Sequence, residues 1–155
     1  MRIVGEGPCA ASLRRLARKV CGKDDAIDFQ GALPEDDALR AIASSDMLVL
    51  PSQRLPNGDR DGIANVILEA MALGVPVVTT DAGTAGEVIE DGISGLLLAH
   101  PAAPDSLSAA MVRLAEDENL RTAIADNARA IVREKFSSDA YISAIEELLD
   151  CTDMR

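Results

Sequence analysis

The sequence predicts an α/β fold built on a parallel sheet. Short runs of aliphatic and β-branched residues alternate along the chain with longer runs that have helical periodicity. Gly or Pro stands at many of the junctions between these runs. Alternation of this kind is typical of parallel strands joined by crossover helices. A chain of 155 residues is long enough for one domain with a substantial core.

The first part of the chain contains three predicted strands and two predicted helices. They are, in order, a strand over 2–4, a helix over 8–19, a strand over 26–29, a helix over 35–44 and a strand over 47–51. Leu13, Leu16 and Val20 share one side of the first helix, which is the pattern of an amphipathic helix. Pro34 suits the first turn of the second helix. The apolar strand over 47–51 is typical of a buried position.

The second part continues the alternation after a long polar loop over 52–62. The predicted elements are, in order, a helix over 63–73, a strand over 76–80, a short helix after 81, a strand over 94–98, and helices over 105–117, 118–135 and 138–149. Gly74 supplies the stop signal of the first of these helices. An unstructured loop as long as 52–62 is uncommon and is often functional.

Composition and charge exclude several classes of protein. The formal net charge of −11 opposes binding to a nucleic-acid backbone or to an anionic membrane surface. No apolar run reaches about 18 residues, so no integral membrane segment is expected. Cys9, Cys21 and Cys151 lack metal-site spacing and predict free thiols in a reducing cytosol. The single histidine, His100, is predicted to be structural or solvated rather than catalytic, which argues against metal sites or triads based on histidine.

The segment over 64–78, ANVILEAMALGVPVV, raises the question of what Glu69 does. Glu69 is its only charged side chain, and a carboxylate among apolar groups is costly unless a partner satisfies it. Backbone N–H groups over 62–66 point out of the helix start and suit a diphosphate. A carboxylate one turn further along suits the vicinal diol of a ribose. Glu69 could instead pair with Arg54 or Arg60, or emerge at a surface that the apolar pattern hides.

Two more carboxylates lie close to this segment in the sequence. Asp61 precedes the helix, from where it could reach a second polyol beyond the diphosphate. A ligand that carries a ribose, a diphosphate and a sugar in that order is a nucleotide sugar. Asp61 could equally be a helix-capping or turn residue. Glu87 could cap its own short helix or enter the site.

Gly-bearing loops follow four of the predicted strands. Their sequences are GEGP, QGALP, SQRLPNGDRDG and DAGTAG. Parallel strands bind ligands beyond their carboxyl ends, and Gly allows the backbone to approach a ligand closely. Together the loops predict a nucleotide-like ligand at one edge of the sheet. GEGP does not match GxGxxG, so the dinucleotide fingerprint is absent.

The segment over 61–101, DGIANVILEAMALGVPVVTTDAGTAGEVIEDGISGLLLAHP, resembles the motif region of the retaining GT-B glycosyltransferases of the group 1 type. That family carries two glutamates with seven residues between them, followed by Ala-Met-Ala-x-Gly-x-Pro-Val-Val. The similarity extends upstream to IVGEGP, IDFQGALP and MLVLPS, and downstream to LAEDENLRTAIADNARAIVREKFS. The resemblance implies a Rossmann-like parallel sheet with flanking helices, the C-terminal half of a GT-B fold, followed by a helical C-terminal segment.

The resemblance implies a role for each matching residue. Glu69 matches the second glutamate, which holds the ribose hydroxyls, and Asp61 stands at the first, which contacts the donor sugar. Asp61 and Glu69 are therefore the candidate catalytic residues, although Asp61 is one methylene shorter than the family's glutamate. The loop that meets the sugar and diphosphate corresponds to Gly62, Ile63, Ala64, Asn65 and Val66. The loops near the nucleotide correspond to Gly5, Gly7, Gln30, Gly31 and Ala32.

The resemblance also implies what the chain lacks. Residues 1–155 would be a single donor-binding domain without its first βα unit, with a helical tail from about 103. That unit normally brings an Arg and a Lys to the diphosphate, and the acceptor domain is missing as well. The family places the missing strand between the strands over 2–4 and 47–51. We therefore predict that these two strands pair directly or are bridged by another chain.

The implied activity is transfer of a sugar from a nucleotide sugar, such as a UDP- or GDP-sugar, to an acceptor with retention of configuration. No metal and no other cofactor is expected, and the isolated chain is expected to be inactive. Expected partners are a missing acceptor domain or a second copy of the chain.

One alternative is a non-catalytic nucleotide-sugar-binding or partner subunit. A flavodoxin-like signalling domain is a weaker one, because its acidic pair after the first strand is absent. A cytoplasmic location is expected, with membrane association of the full-length enzyme left open.

Overall fold

The computed structural model describes residues 1–22, 26–54, 64–137, 140 and 142. The chain forms two compact units, over 1–41 and 42–155, and each is described by itself. All pairings between the described strands are parallel, and helices alternate with the strands along the chain. The predicted α/β class with parallel strands and flanking helices is therefore confirmed.

The first unit is built on two parallel strands. Strand β1 (Arg2–Val4) pairs with β2 (Asp28–Gly31), and helix α1 (Ala10–Cys21) connects them. The Arg14 guanidinium lies 4.7 Å from the centroid of the Phe29 ring and donates a 3.1 Å hydrogen bond to the Phe29 carbonyl. These contacts hold α1 on β2. Helix α2 (Glu35–Ala43) follows β2 and extends into the second unit.

The apolar side of α1 is exposed. The exposed fractions are 46% for Leu13, 55% for Leu16 and 73% for Val20, and no residue of α1 is buried. The predicted helix is confirmed, but its apolar side has no cover among the described residues. Hydrophobic spacing is a local property of the chain, whereas burial also needs a second surface to pack against.

The second unit contains a three-stranded sheet in the order β3-β4-β5. Its elements are β3 (Leu48–Leu50), α3 (Asn65–Leu73), β4 (Val77–Thr80), a 3₁₀ turn (Ala85–Glu87), β5 (Leu96–Leu98), α4 (Pro104–Glu116) and α5 (Glu118–Lys135). The bounds of α4 and α5 agree with the predicted helices to within one residue. Most of the helix predicted over 138–149 lies outside the described residues.

Strand β4 is the centre of the second unit. It pairs with β3 on one side and β5 on the other, and all of its residues are buried. Its side chains alternate between two cores, as a pleated strand requires. Val77 packs with Ile67 and Met71 of α3, whereas Val78 packs with Leu114 of α4 and Ile124 of α5. Two layers of helix therefore hold the sheet in place.

Capping residues set the ends of the helices beside this sheet. Gly74 follows α3 with φ of +72°, a left-handed conformation that favours glycine, and its N–H bonds to the carbonyls of Ala70 and Met71. The stop signal predicted at Gly74 is thus confirmed. The Asp117 carboxylate accepts a 2.9 Å hydrogen bond from the Leu120 N–H and caps the start of α5.

The strands divide between two sheets, so the predicted direct pairing of the first and third strands is wrong. Among the described residues, β1 pairs with β2 alone and β3 with β4 alone. Each of these pairs lies within a single unit. A bridge through another chain stays a prediction, as does the loss of a first βα unit from a single domain. The four Gly-bearing loops consequently follow strands of two sheets, two loops for each.

Candidate functional site

A shallow cleft lies at the carboxyl end of the three-stranded sheet. It is formed by the segments that follow β3 and β4 together with the start of α3. The residues that line it are Ser52, Gln53, Ala64, Ile67, Thr80, Ala82, Gly83, Thr84 and Ala85. This is the end of a parallel sheet at which ligands bind. Of the predicted site residues that the structure describes, Ala64 alone is among those that line the cleft.

The first turn of α3 has no side-chain cap. Ala64 at its N-cap is extended, with φ of −65° and ψ of 120°, and it carries no capping group. No acidic residue lies in the first turn. The Ile67 N–H bonds to the Ala64 carbonyl at 2.8 Å, whereas the N–H groups of Asn65 and Val66 precede the first helical hydrogen bond. Uncapped amides at the positive end of the helix dipole favour an anion.

Glu69 lies one turn into α3 on its outward side. The helix buries Ile67, Ala70 and Met71, and the opposite side carries the exposed Asn65 and the half-buried Glu69. The apolar residues that surround Glu69 in the sequence therefore do not enclose it, because the buried ones point to the other side of the helix. Its position agrees better with the alternative that Glu69 emerges at the protein surface, which the apolar sequence pattern does not reveal.

The Glu69 carboxylate has no hydrogen-bond or ion-pair partner among the described residues. The proposed pairing with Arg54 is wrong, because that guanidinium points elsewhere. Its Nε donates to the Ala82 carbonyl at 2.9 Å and its Nη2 to the Asp81 carbonyl at 3.0 Å. Arg60 lies outside the described residues. In the described structure the carboxylate is therefore available to a ligand.

Arg54 joins the ends of three strands. Its side chain holds Asp81 and Ala82 after β4, and its backbone N–H donates to His100 Nε2 after β5 at 3.2 Å. The structural role predicted for His100 is confirmed by this bond. Sequence reasoning considered Arg54 only as a partner of Glu69, and no local pattern identifies a side chain that bonds to carbonyls 27 and 28 residues away.

Three threonines near the cleft differ in their hydrogen bonding. Thr79 Oγ1 donates to the Leu50 carbonyl at 2.8 Å, and Thr80 Oγ1 donates to the Ser52 carbonyl at 2.6 Å. Both bonds tie the end of β4 to the end of β3. Thr84 Oγ1 is buried and has no partner among the residues that the structure describes. Sequence reasoning missed all three, although the polar pair at the end of the apolar strand was a usable signal.

The predicted residues of the first unit lie in two connected loops. The Gly5 N–H donates to the Gly31 carbonyl at 2.7 Å, so the loops after β1 and β2 are joined. Gly5 and Gly31 have φ of +129° and +72°, conformations that side-chain-bearing residues rarely adopt. Gln30 is exposed and donates from Nε2 to Asp28 Oδ2 at 2.9 Å. Gly7 and Ala32 are exposed as well.

Asp61, Gly62 and Ile63 lie outside the described residues, so the roles predicted for them stay predictions. In the described ranges, no group of three His, Cys, Asp or Glu side chains could hold a metal ion. None of the described helices combines the length and the apolar character that crossing a membrane requires. Glu87 is exposed, and its N–H bonds to the Thr84 carbonyl at 3.0 Å.

Known proteins resemble this chain in sequence and in fold. Residues 1–117 match the family described as Glycosyl transferases group 1. The amylovoran biosynthesis glycosyltransferase AmsK of Erwinia amylovora is 30% identical over 148 residues, which are 96% of this chain and 36% of AmsK. The GDP-mannose-dependent alpha-(1-6)-phosphatidylinositol monomannoside mannosyltransferase of Mycobacterium tuberculosis is 30% identical over 95% of this chain and 38% of its own. Anabaena HepE, solved in complex with UDP and glucose, superposes with a TM-score of 0.75 and 28% identity over 97% of this chain and 40% of its own.

The chain thus spans well under half the length of each of these three proteins. Its parallel strands and flanking helices match those of GT-B glycosyltransferase structures, which confirms the predicted fold. The relatives are named glycosyltransferases, so nothing favours a signalling domain. Because the family match covers residues 1–117, most of the sequence, the chain belongs to the glycosyl transferases group 1 family.

Proposed function

We propose that this chain binds the nucleotide-sugar donor of a retaining glycosyltransferase, with the ribose on Glu69 and the diphosphate at the start of α3. One observation carries the proposal. The Glu69 carboxylate lies half-buried one turn into an uncapped helix, and it has no partner among the described residues. HepE was solved with UDP and glucose, and the mycobacterial relative is named as dependent on GDP-mannose. Both names support a nucleoside diphosphate as the core of the ligand.

The two groups on α3 select different parts of one ligand. The amides of Asn65 and Val66 attract phosphate oxygens, whereas the Glu69 carboxylate repels phosphate and accepts hydrogen bonds from hydroxyls. When the bond to the sugar breaks, negative charge develops on the departing diphosphate. Fixed amides at a helix start stabilise that charge without reorganising. Asp61 is proposed to contact the donor sugar, on the resemblance alone.

The proposal rests on the second unit. The roles that the resemblance gives to Gly5, Gly7, Gln30, Gly31 and Ala32 stay predictions. Transfer with retention, the absence of a cofactor and a cytoplasmic location stay predictions too. The resemblance assigns the acceptor to a separate domain, and that assignment stays a prediction as well.

The first test is a titration of the chain with UDP and with GDP, in which isothermal titration calorimetry measures the affinity. Each nucleotide is compared with its 2′,3′-dideoxy analogue, which retains the base and the diphosphate but lacks the diol. We expect the dideoxy analogue to bind about 10- to 100-fold more weakly, because it leaves a carboxylate without its hydrogen bonds. Equal affinity for both forms would show that Glu69 does not bind the ribose hydroxyls. A chain that bound neither UDP nor GDP would disprove the proposal.

We also expect the isolated chain to bind donor without turnover. Incubated with UDP-glucose or GDP-mannose, it should release no nucleoside diphosphate above the rate of a blank without protein. The reason is that catalysis of this kind depends on several positioned groups acting on one transition state, and the chain spans only part of the relatives that carry them. A coupled assay for UDP or GDP measures the release. Sustained release or sugar transfer would contradict the expectation, whereas binding without turnover also fits a non-catalytic partner subunit.

A further inference from the structure

The Thr84 hydroxyl is unusual because it is buried without a hydrogen bond. Among the described residues, Thr84 Oγ1 is the one buried side-chain oxygen or nitrogen that lacks a partner. Buried polar groups are nearly always hydrogen-bonded, since leaving one unpaired forfeits its interaction with water. An isolated exception next to a cleft calls for a physical explanation.

The neighbouring threonine hydroxyls are paired, so the lack of a partner is confined to Thr84. Thr79 and Thr80, a few residues earlier, both donate to carbonyls of the neighbouring segment. Thr84 lines the same cleft as Ala64, the residue at the N-cap of α3. The residue as a whole is half-buried although its oxygen is buried, so its exposed surface belongs to other atoms. Rotation about χ1 exchanges the hydroxyl with the methyl group or the hydrogen, and such rotations are fast.

The backbone around Thr84 is held in place from both sides. Before it, Arg54 donates to the carbonyls of Asp81 and Ala82. After it, the Thr84 carbonyl accepts from the Glu87 N–H at 3.0 Å. These bonds oppose a shift of the loop that would bring the hydroxyl to a partner within the protein. The position of the Thr84 backbone is therefore fixed by contacts that the rest of the unit makes.

We propose that the Thr84 hydroxyl is a ligand-binding group that donates a hydrogen bond to a phosphate oxygen of the nucleotide-sugar donor. The inference rests on the proposed function, which places the diphosphate at the start of α3 in this cleft. A hydroxyl donor complements the uncapped amides of Asn65 and Val66, because all three are donors without an acceptor and a diphosphate supplies several acceptors. Thr84 would then help to position the departing diphosphate.

The test compares Thr84→Val with Thr79→Val, by thermal unfolding without ligand and by titration with UDP and GDP. Valine keeps the shape of threonine and removes the hydroxyl. Thr84→Val should raise the melting temperature by about 2–4 °C, because an unpaired buried hydroxyl is removed. It should also weaken UDP or GDP binding about 5-fold, because the ligand loses one hydrogen bond. Thr79→Val should lower the melting temperature and leave the affinity unchanged, because its hydroxyl already bonds to Leu50.

Thr84→Ser serves as the conservative variant, since it keeps the hydroxyl, and it should bind UDP or GDP within about 2-fold of the unaltered chain. A melting temperature of Thr84→Val that is unchanged or lower would overturn the inference, because the hydroxyl would then be satisfied. Unchanged affinity in Thr84→Val would overturn it as well. If the unaltered chain binds neither nucleotide, the proposed function fails and this inference fails with it. If the unaltered chain binds a nucleotide and Thr84→Val binds it with the same affinity, the role of Thr84 is disproved while the proposed function stands.

Discussion

Replacing Glu69 by glutamine is expected to weaken UDP or GDP binding about 10- to 100-fold, because a neutral amide has one acceptor oxygen where the carboxylate has two charged ones. The stability of the folded chain should change little. Glu69 is half-buried on the outward side of α3, and no partner among the described residues loses a bond when its charge is removed. Calorimetric titration gives the affinity and thermal unfolding gives the stability.

The control for Glu69 uses the ligand as well as the protein. Glu69→Gln and the 2′,3′-dideoxy nucleotide remove opposite halves of the same proposed interaction, so their effects should not add. The dideoxy analogue should bind Glu69→Gln nearly as well as it binds the unaltered chain. Glu116→Gln, at the exposed end of α4 and away from α3, should bind both nucleotides normally. Full additivity of the two losses would show that Glu69 acts on another part of the ligand.

Replacing Leu114 by alanine is expected to cost about 3 kcal/mol of unfolding free energy. Leu114 is fully buried and belongs to the core that joins Val78 and Leu96 of the sheet to Ile124 of α5. The substitution removes three carbons and leaves a cavity that fixed neighbours only partly close. Urea unfolding followed by circular dichroism measures the loss. Val112→Ala on the same helix, where the side chain is 47% exposed, should stay within about 0.5 kcal/mol of the unaltered chain.

The two substitutions should separate stability from binding. Leu114 packs on one side of β4, and α3 with Glu69 packs on the other. Under conditions where the chain is folded, Leu114→Ala should therefore bind UDP or GDP normally, whereas Glu69→Gln should lose affinity without losing stability. A loss below about 1 kcal/mol for Leu114→Ala would show that the core collapses into the vacated space.

Several features of the fold follow from the sequence because they depend on neighbouring residues. Helical periodicity predicted the bounds of α4 and α5 to within one residue. Gly74 marked the end of α3 because glycine adopts a left-handed backbone conformation with little steric strain. The run over 76–80 predicted the strand β4, whereas its complete burial is a finding of the structure. The order of Gly-bearing loops after strands likewise placed the start of α3 at a sheet end, where the cleft lies.

The position of Glu69 within α3 did not follow from the sequence. Almost every residue around it is apolar, so periodicity could not distinguish the side that packs from the side that faces outward. The distinction is made by Val77 in β4 and Ala128 in α5, which belong to the core that covers Ile67 and Met71. A helix with a nearly uniform apolar pattern acquires its inner side from its neighbours.

By itself, then, the sequence determined which segments become strands and helices, where Gly74 ends α3, and which family's motif surrounds Glu69. The tertiary structure alone decided that Arg54 holds the carbonyls of Asp81 and Ala82 rather than Glu69, and that no described residue pairs with the Thr84 hydroxyl. The physical reason is the range of the interactions. Backbone conformation responds to residues a few positions away, whereas burial and hydrogen-bond partners depend on groups that only folding brings together.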